Sequence, residues 1–221
     1  LQPVSKSEML FLDYLNEWIQ IHKASIQTAT FISYNQMIQG RITQYFKPLS
    51  LKLCEVTPQV LDEFQEKILL DGCTTNTVIH YHAIFGKVFK DAVRKDYLEV
   101  NPMLKVDRPK KNSFRPNFYS KDEVQQLLEV SQDDPLHLCI LITAYYGLRR
   151  SEVLGLKWSS IDFERKSITI NHKVTEQLVN GKYVPVVSDV MKNKTSCRTL
   201  PLIPAVEEEL LKQKEKQQLY R

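Results

Sequence analysis

The sequence lacks the features that mark membrane-spanning, secreted and zinc-binding proteins. Its longest apolar stretch, near residues 138–148, is far shorter than the ~20 residues that a membrane span needs. The first ten residues contain no apolar leader segment. The four cysteines show no CxxC spacing, and no group of His and Cys has the close spacing of a zinc site. We therefore expect a cytoplasmic protein, in a reducing compartment, with no membrane partner.

The composition also gives no case for a disordered chain. Hydrophobic residues make up 43% of the 221 residues and charged residues 25%, which is ordinary for a globular protein. At roughly 150 residues per domain, this length corresponds to one or two domains. We expect two.

The charge is nearly balanced overall but uneven along the chain. The net charge of +4 hides a window, residues 86–121, that carries +6 and leaves the remainder at −2. A concentrated basic stretch is typical of proteins that bind a phosphate backbone. A solvated helix face followed by a basic linker would give the same pattern.

The first hundred residues predict a block of four helices. Apolar residues recur at helical spacing in residues 8–22 and 30–46, and Pro48 closes the second helix. Thr57-Pro58 begins the third helix and Thr74-Thr75 caps the fourth, residues 76–95. The segment 101–119 is rich in Pro, Lys, Arg and Asn, which predicts an interdomain linker.

The remaining residues predict a mixed domain. Ser120 starts a capping box, an apolar helix that we expect to be buried follows Pro135, and residues 149–158 predict another helix. From Ile161 the apolar pattern has period two, and Asn180-Gly181 predicts a hairpin turn. A last helix follows the strands. The predicted fold class is therefore α+β, mainly α: a four-helix domain (1–100), a basic linker (101–119) and a mixed domain (120–221) with a small antiparallel sheet.

One segment, residues 143–170, contains the residues best suited to phosphate chemistry. An apolar helix ends at Gly147, and Arg149 follows where a guanidinium can be held by rigid elements. Two simpler explanations remain. Arg149 or Arg150 could be an ordinary surface residue, and Glu152 could be a first-turn carboxylate that interacts with the helix N-terminus.

Several spaced motifs resemble the tyrosine recombinases, the family of phage and conjugative-transposon integrases. The first catalytic box is matched by Gly147-Leu148-Arg149, Ser151-Glu152-Val153, Leu156-Lys157-Trp158 and Ile161-Asp162. Residues 192–202, KNKTSCRTLPL, are similar to the family's K-T-x-x-S-x-R-x-x-P-L pattern. The N-terminal block is similar to the family's core-binding domain, so the resemblance covers nearly the whole chain.

The resemblance implies a role for three catalytic residues. Arg149 would bind non-bridging oxygens of the scissile phosphate, and Glu152 would orient groups of the site. Lys192 would protonate the leaving 5′ oxygen as a general acid. Arg150 is the rival of Arg149. Lys194 gives an alternative register for the lysine, because Asn193 replaces the usual threonine.

The resemblance also implies double-stranded DNA as the partner. We expect phosphate contacts from basic residues of the fourth helix, the linker and the last sheet. These residues are Lys87, Lys90, Arg94, Lys95, Lys110, Lys111 and Arg198. Tyr34 is a further predicted DNA contact. Family behaviour suggests a homotetramer on two duplexes and a directionality factor. The chemistry implies no cofactor and no metal, because Arg and Lys supply the cations.

The family's His-x-x-Arg box and nucleophilic tyrosine have no match here. None of the five histidines has an arginine three residues later, and Tyr220 comes before such a box could occur, so we do not assign it as nucleophile. We therefore expect a piece of a longer protein that continues beyond Arg221. Whether an arm-binding domain precedes this segment is left open. The rival interpretations are a DNA-binding fragment without cleavage, a type IB topoisomerase relative and a helical scaffold protein.

Overall fold

A computed structural model describes residues 6–179, 182–188 and 197–219. The chain divides into two compact units, unit 1 at residues 1–115 and unit 2 at residues 116–221. In the part of the chain that the structure describes, no helix combines the length and hydropathy that a membrane crossing requires.

Unit 1 is helical. Its helices are α1 (Phe11–His22), α2 (Thr28–Met37), a π-helical segment (Ile38–Ile42), α3 (Thr43–Leu49), α4 (Pro58–Leu70) and α5 (Thr75–Arg94), with 3-10 turns at Lys6–Glu8, Leu53–Glu55 and Pro102–Lys105. The predicted second helix is present as α2, the π segment and α3 in direct succession, but it is kinked at Gly40, whose backbone (φ −87°, ψ −114°) is not helical. This helix runs past Pro48 and ends at Ser50, whose φ of 48° is left-handed.

Local hydrogen bonds explain where α4 and α5 begin. The Thr57 hydroxyl accepts from the Val60 backbone N–H, and the Thr74 hydroxyl accepts from that of Thr77. Each bond satisfies a backbone donor that the first turn of a helix leaves unpaired. The predicted starts of both helices are confirmed.

The core of unit 1 contains a cluster of aromatic rings. Five of its largest fully buried side chains are phenylalanines: Phe11, Phe46, Phe64, Phe85 and Phe89. The rings of Phe11 and Phe89 stack with centroids 5.4 Å apart, and Phe64 meets Phe85 edge-on at 5.3 Å. Aromatic pairs with this geometry add to the free energy gained by burial alone.

The segment after α5 begins as part of this core. Met103 and Val106 are buried against the helices of unit 1. From residue 107 to Ser120 the chain has no regular secondary structure, and all of its residues except Pro109 are exposed. The basic residues in this stretch are therefore accessible to a partner.

Unit 2 combines helices with two small antiparallel sheets. Its elements are α6 (Lys121–Val130), α7 (His137–Tyr146), α8 (Arg150–Leu154), a 3-10 turn (Trp158–Ser160), β1 (Ile161–Asp162), β2 (Ser167–Ile170), β3 (Lys173–Val179), β4 (Lys182–Ser188), β5 (Arg198–Pro201) and α9 (Pro204–Leu219). One sheet has the order β1-β2-β5 and the other pairs β3 with β4. The expected hairpin turn at residues 180–181 lies outside the described residues.

Strand β2 shows the alternation that the sequence predicts. Ile168 and Ile170 are buried on one face, and the residues between them are more exposed. In the sheet, Ile170 pairs with Arg198, the first residue of β5. This register fixes the backbone of Arg198 beside a buried strand.

Two predictions about the helices of unit 2 are wrong in part. Helix α7 was expected to be buried, but only Leu141 and Ile142 of its residues are buried. The helix predicted over residues 149–158 ends at Leu154, and Gly155, its C-cap residue, packs closely on the start of β3. A Cβ at Gly155 would lie 2.5 Å from the Lys173 Cα.

Candidate functional site

The first candidate site lies in unit 2, at the junction between α7 and α8. Gly147 ends α7 in the left-handed conformation, with φ of 60°, and Leu148 is buried. Arg149 follows as the N-cap residue of α8 with extended backbone. Its side chain is 72% exposed, so its guanidinium is held at its base by the helix junction and is open to a ligand.

The Glu152 carboxylate joins two arginines. It is 3% exposed, and its Oε1 lies 2.8 Å from Nη1 of Arg149 and its Oε2 lies 2.9 Å from Nη2 of Arg198. A second nitrogen of Arg198, Nη1, lies 3.4 Å from Oε1, and the backbone N–H of Arg149 donates to Oε2 at 3.2 Å. The predicted catalytic pair Arg149 and Glu152 is thus in direct contact, together with Arg198 from a strand 46 residues away.

This arrangement keeps Glu152 ionised. Hydrogen bonding from Arg198 lowers the pKa of the Glu152 carboxyl most, burial opposes this effect, and the bonds from Arg149 lower the pKa further, to about 2. One anion therefore faces two guanidinium cations near neutral pH. The exposed guanidinium of Arg149, held beside this anion, is suited to an anionic ligand.

Glu152 makes the helix-cap contact that the simpler explanation expects, through the Arg149 backbone, and it also contacts the side chains of Arg149 and Arg198. Its predicted role in orienting groups of the site stays a prediction. The sequence could not show the bond to Arg198, because it joins distant parts of the chain.

A tyrosine that the sequence analysis missed ties β5 to α7. The Tyr146 hydroxyl donates to the Pro201 carbonyl at 2.9 Å and accepts from the Ile203 N–H at 3.0 Å. Since Tyr146 ends α7 and Pro201 ends β5, this hydroxyl sets the strand that carries Arg198 relative to the junction that carries Arg149.

The predictions for the catalytic lysine and for Tyr220 concern residues that the structure does not describe. Lys192, its alternative Lys194 and Tyr220 lie outside the described residues. Among the residues that are described, no three His, Cys, Asp or Glu side chains form a group that could hold a metal ion.

A second candidate site lies on unit 1, where the predicted DNA contacts of α5 meet α2. Nζ of Lys87 donates to the Tyr34 hydroxyl at 2.6 Å and sits 5.0 Å from the centre of that ring. Both side chains line a pocket of about 250 Å³ with Trp18 and His22. Two predicted contacts, Tyr34 and Lys87, are thus brought together.

The next two predicted contacts are paired with an aspartate. Asp91 is buried, Nζ of Lys95 lies 2.7 Å from its Oδ2, and Arg94 pairs with its Oδ1. Burial raises the pKa of Asp91, but the hydrogen bonds from Lys95 and Arg94 outweigh it and leave the pKa below its ordinary value. The spacing of Asp91 three and four residues before these cations was a signal that the sequence analysis did not use.

Three other predicted contacts, Lys90, Lys110 and Lys111, are exposed. Lys90 lies on α5 and contributes to the same pocket, and Lys110 and Lys111 lie in the irregular segment after residue 106. Unit 1 thus presents a basic surface with aromatic side chains at its base.

The described residues thus form a helical unit with a basic face and a mixed unit in which an arginine and a buried glutamate meet at a helix junction. Two family models match the chain. The phage integrase SAM-like domain matches residues 10–108, and the phage integrase family matches residues 117–218. The chain belongs to the tyrosine recombinase (phage integrase) family, as the motifs predicted.

Curated relatives share the same family. The chain is 27% identical over 222 residues to a "Tyrosine recombinase XerC-like" protein of Caldanaerobacter subterraneus, covering 92% of this chain and 56% of that protein. It is 24% identical over 190 residues to the ICEBs1 integrase of Bacillus subtilis, covering 83% and 50%. The chain thus spans about half the length of these relatives.

Solved structures share the fold. The Tn1549 transposon integrase in complex with a circular intermediate DNA is similar with a TM-score of 0.74 and 17% identity, over 90% of this chain and 63% of that one. A lambda integrase tetramer bound to a Holliday junction is similar with a TM-score of 0.63 and 17% identity, over 82% and 52%. The predicted fold class, α+β and mainly α with a small antiparallel sheet component, is confirmed.

Proposed function

We propose that the complete protein is a site-specific DNA recombinase that integrates and excises a mobile element. The observation that carries this proposal is the contact of Arg149 with the buried Glu152 at the junction of α7 and α8. Family membership adds the reaction class, and the DNA complexes of the similar integrases add the substrate.

In the proposed reaction, a tyrosine oxygen of the complete protein attacks the scissile phosphorus. The 5′ oxygen leaves, takes a proton from Lys192, and a 3′-phosphotyrosine link remains. The 5′-hydroxyl of a partner strand then attacks this link and returns a proton to Lys192, while the tyrosine oxygen leaves and recovers from solvent the proton that it lost in the first step. Each step exchanges one phosphate ester for another, so no energy source such as ATP is required.

Arg149 would stabilise the charge that grows on the non-bridging oxygens during both steps. A guanidinium is planar and permanently protonated, and its paired N–H groups match two phosphate oxygens. Glu152 would hold this guanidinium before the DNA arrives, which reduces the rearrangement needed in the transition state.

Unit 1 would hold the duplex. Its pocket-lining residues Tyr34, Lys87 and Lys90 are accessible, and Arg94 extends the same basic surface while paired with Asp91. Lys95, Lys110, Lys111 and Arg198 stay predicted contacts. Most contacts of this kind fix the position of the protein on DNA and do not read its sequence.

The assembly follows from the same proposal. Because recombination joins two duplexes, we propose a homotetramer in which each subunit cuts one strand. A directionality factor and a cytoplasmic location stay predictions. The domains are proposed to be a core-binding domain (1–100), a linker (101–119) and a catalytic domain (120–221).

The test is strand cleavage by the complete protein on a nicked suicide DNA substrate. Replacing Arg149→Ala should lower the covalent protein–DNA adduct by about 100- to 1,000-fold, because one transition-state donor group is lost. Arg149→Lys should restore only part of the activity, since an ammonium keeps the charge without the planar pair of donors.

Arg150→Ala is the matched control. Arg150 is the exposed neighbour and lines an apolar groove of unit 2, so its removal should leave adduct formation near the wild-type amount. Undiminished adduct with Arg149→Ala, or loss with Arg150→Ala alone, would overturn the assignment.

A further inference from the structure

The carboxylate of Glu152 has no acceptor position left for a second bond from Arg149. A carboxylate offers two oxygens with about four lone-pair directions. Oε1 receives Nη1 of Arg149 and Nη1 of Arg198, and Oε2 receives the Arg149 backbone N–H and Nη2 of Arg198. All four positions are occupied.

The two arginines use the carboxylate differently. Arg198 approaches with both terminal nitrogens, and its side chain is 30% exposed. The side chain of Arg149 bonds through Nη1 alone and is 72% exposed. The geometry therefore sets Arg198 facing inward and directs Arg149 outward.

Without Arg198, the second oxygen of Glu152 would be open to Arg149. An arginine beside a free carboxylate prefers the two-bond fork, which is stronger than a single bond. Such a fork would use the same pairs of N–H groups that a phosphate needs. The carboxylate and the phosphate would then compete for one guanidinium.

We propose that Arg198 is a positioning residue for catalysis. It occupies the acceptor positions of the Glu152 carboxylate, so that Arg149 keeps its outer N–H donors for the scissile phosphate. This inference rests on the proposed function and adds a role for Arg198 different from the DNA contact predicted from the sequence. The strand register beside Ile170 and the Tyr146 bonds to the end of β5 hold Arg198 in place for this role.

The experiment is single-turnover cleavage of the nicked substrate by the complete protein. Arg198→Met, which keeps length but removes the charge, should slow cleavage about tenfold to a hundredfold through misplacement of Arg149. Arg198→Lys should recover part of the rate, because one bond to Glu152 is restored.

The discriminating variant is the double substitution Arg198→Met with Glu152→Gln. A neutral amide holds a guanidinium less tightly than a carboxylate does, so the double variant should cleave faster than Arg198→Met alone. If Arg198 instead bound the scissile phosphate directly, or served only to hold the fold together, the second substitution would bring no recovery. An equal or slower rate in the double variant overturns the proposal.

Further measurements distinguish failure of the proposed role of Arg198 from failure of the proposed function. A crystal structure of the Arg198→Met protein should show two nitrogens of Arg149 on Glu152, and an unchanged single bond would overturn the positioning role. Lys166→Met is the control, because it breaks another ion pair of unit 2, with Glu207, and should leave the rate unchanged. Absence of covalent adduct in the wild type would reject the proposed function, whereas normal wild-type cleavage without recovery rejects only the role of Arg198.

Discussion

The two units of this chain are stabilised in different ways. Among the described residues, 22 hydrophobic side chains are buried in the core of unit 1 and eight in that of unit 2, although the units are similar in length. Unit 1 is stabilised mainly by a large apolar core that includes a cluster of packed aromatic rings. Unit 2 has a smaller apolar core, and polar contacts such as those of Glu152 and Tyr146 tie its elements together at the site.

Unit 2 also leaves apolar side chains exposed on its surface. An apolar groove of about 550 Å³ runs along α6, α7 and α8, and Leu136 and Leu154 on its walls are exposed. Apolar side chains left in water contribute little to the free energy of folding. A substitution in the core of unit 1 should therefore cost more than one in unit 2.

The largest effect is expected from Phe85→Ala. This ring is buried among Phe11, Phe46, Phe64 and Phe89, and its removal should lower the free energy of unfolding of unit 1 by about 3–5 kcal/mol. Denaturant unfolding of both variants checks this, with the exposed Phe118→Ala as control, expected within about 0.5 kcal/mol of wild type. Equal losses for the two variants would contradict the account of the unit 1 core.

A smaller effect is expected from Gly155→Ala in unit 2. The added methyl group would meet the Lys173 backbone, so stability should fall by about 1–3 kcal/mol. Gly86→Ala provides the matched control in unit 1, because its Cβ would meet nothing within 4 Å. There, thermal unfolding should show a gain of about 0.5–1 kcal/mol from helix propensity. A tolerated alanine at 155 would mean that α8 and β3 can separate.

The smallest effect is expected from the pH dependence of unit 2. Because the folded pKa of Glu152, about 2, lies below its ordinary 4.5, its stabilisation is complete above pH 4.5 and is lost as pH falls towards 2. Glu152→Gln should lower the free energy of unfolding by about 1–2 kcal/mol at neutral pH, a value kept small because solvent screens the pairing with the exposed Arg149. It should also flatten the fall in stability at acid pH. Acid titration followed by circular dichroism measures this, with the exposed Glu129→Gln as control. An unchanged acid limb in Glu152→Gln would show that the pairing adds no stability.

Local chemistry made much of the fold predictable. Thr57, Thr74 and Ser120 cap helices in the structure as their sequence positions indicate, because these bonds span only three residues. The alternation in β2 was equally visible, since a strand exposes and buries successive residues in turn.

Long-range contacts were not predictable in this way. No local pattern indicates that Arg198 reaches Glu152 or that the Tyr146 hydroxyl binds the end of β5. The partial exposure of α7 has a similar cause. Its apolar composition predicts burial, but burial depends on which other elements cover the helix.

The most direct test of the central claim is an experimental structure of the complete protein on its DNA site. The account predicts that Arg149 donates to non-bridging oxygens of the scissile phosphate at about 2.7–3.0 Å while Nη1 keeps its bond to Glu152. A structure in which Arg149 contacts no phosphate, or leaves Glu152 to do so, would contradict it.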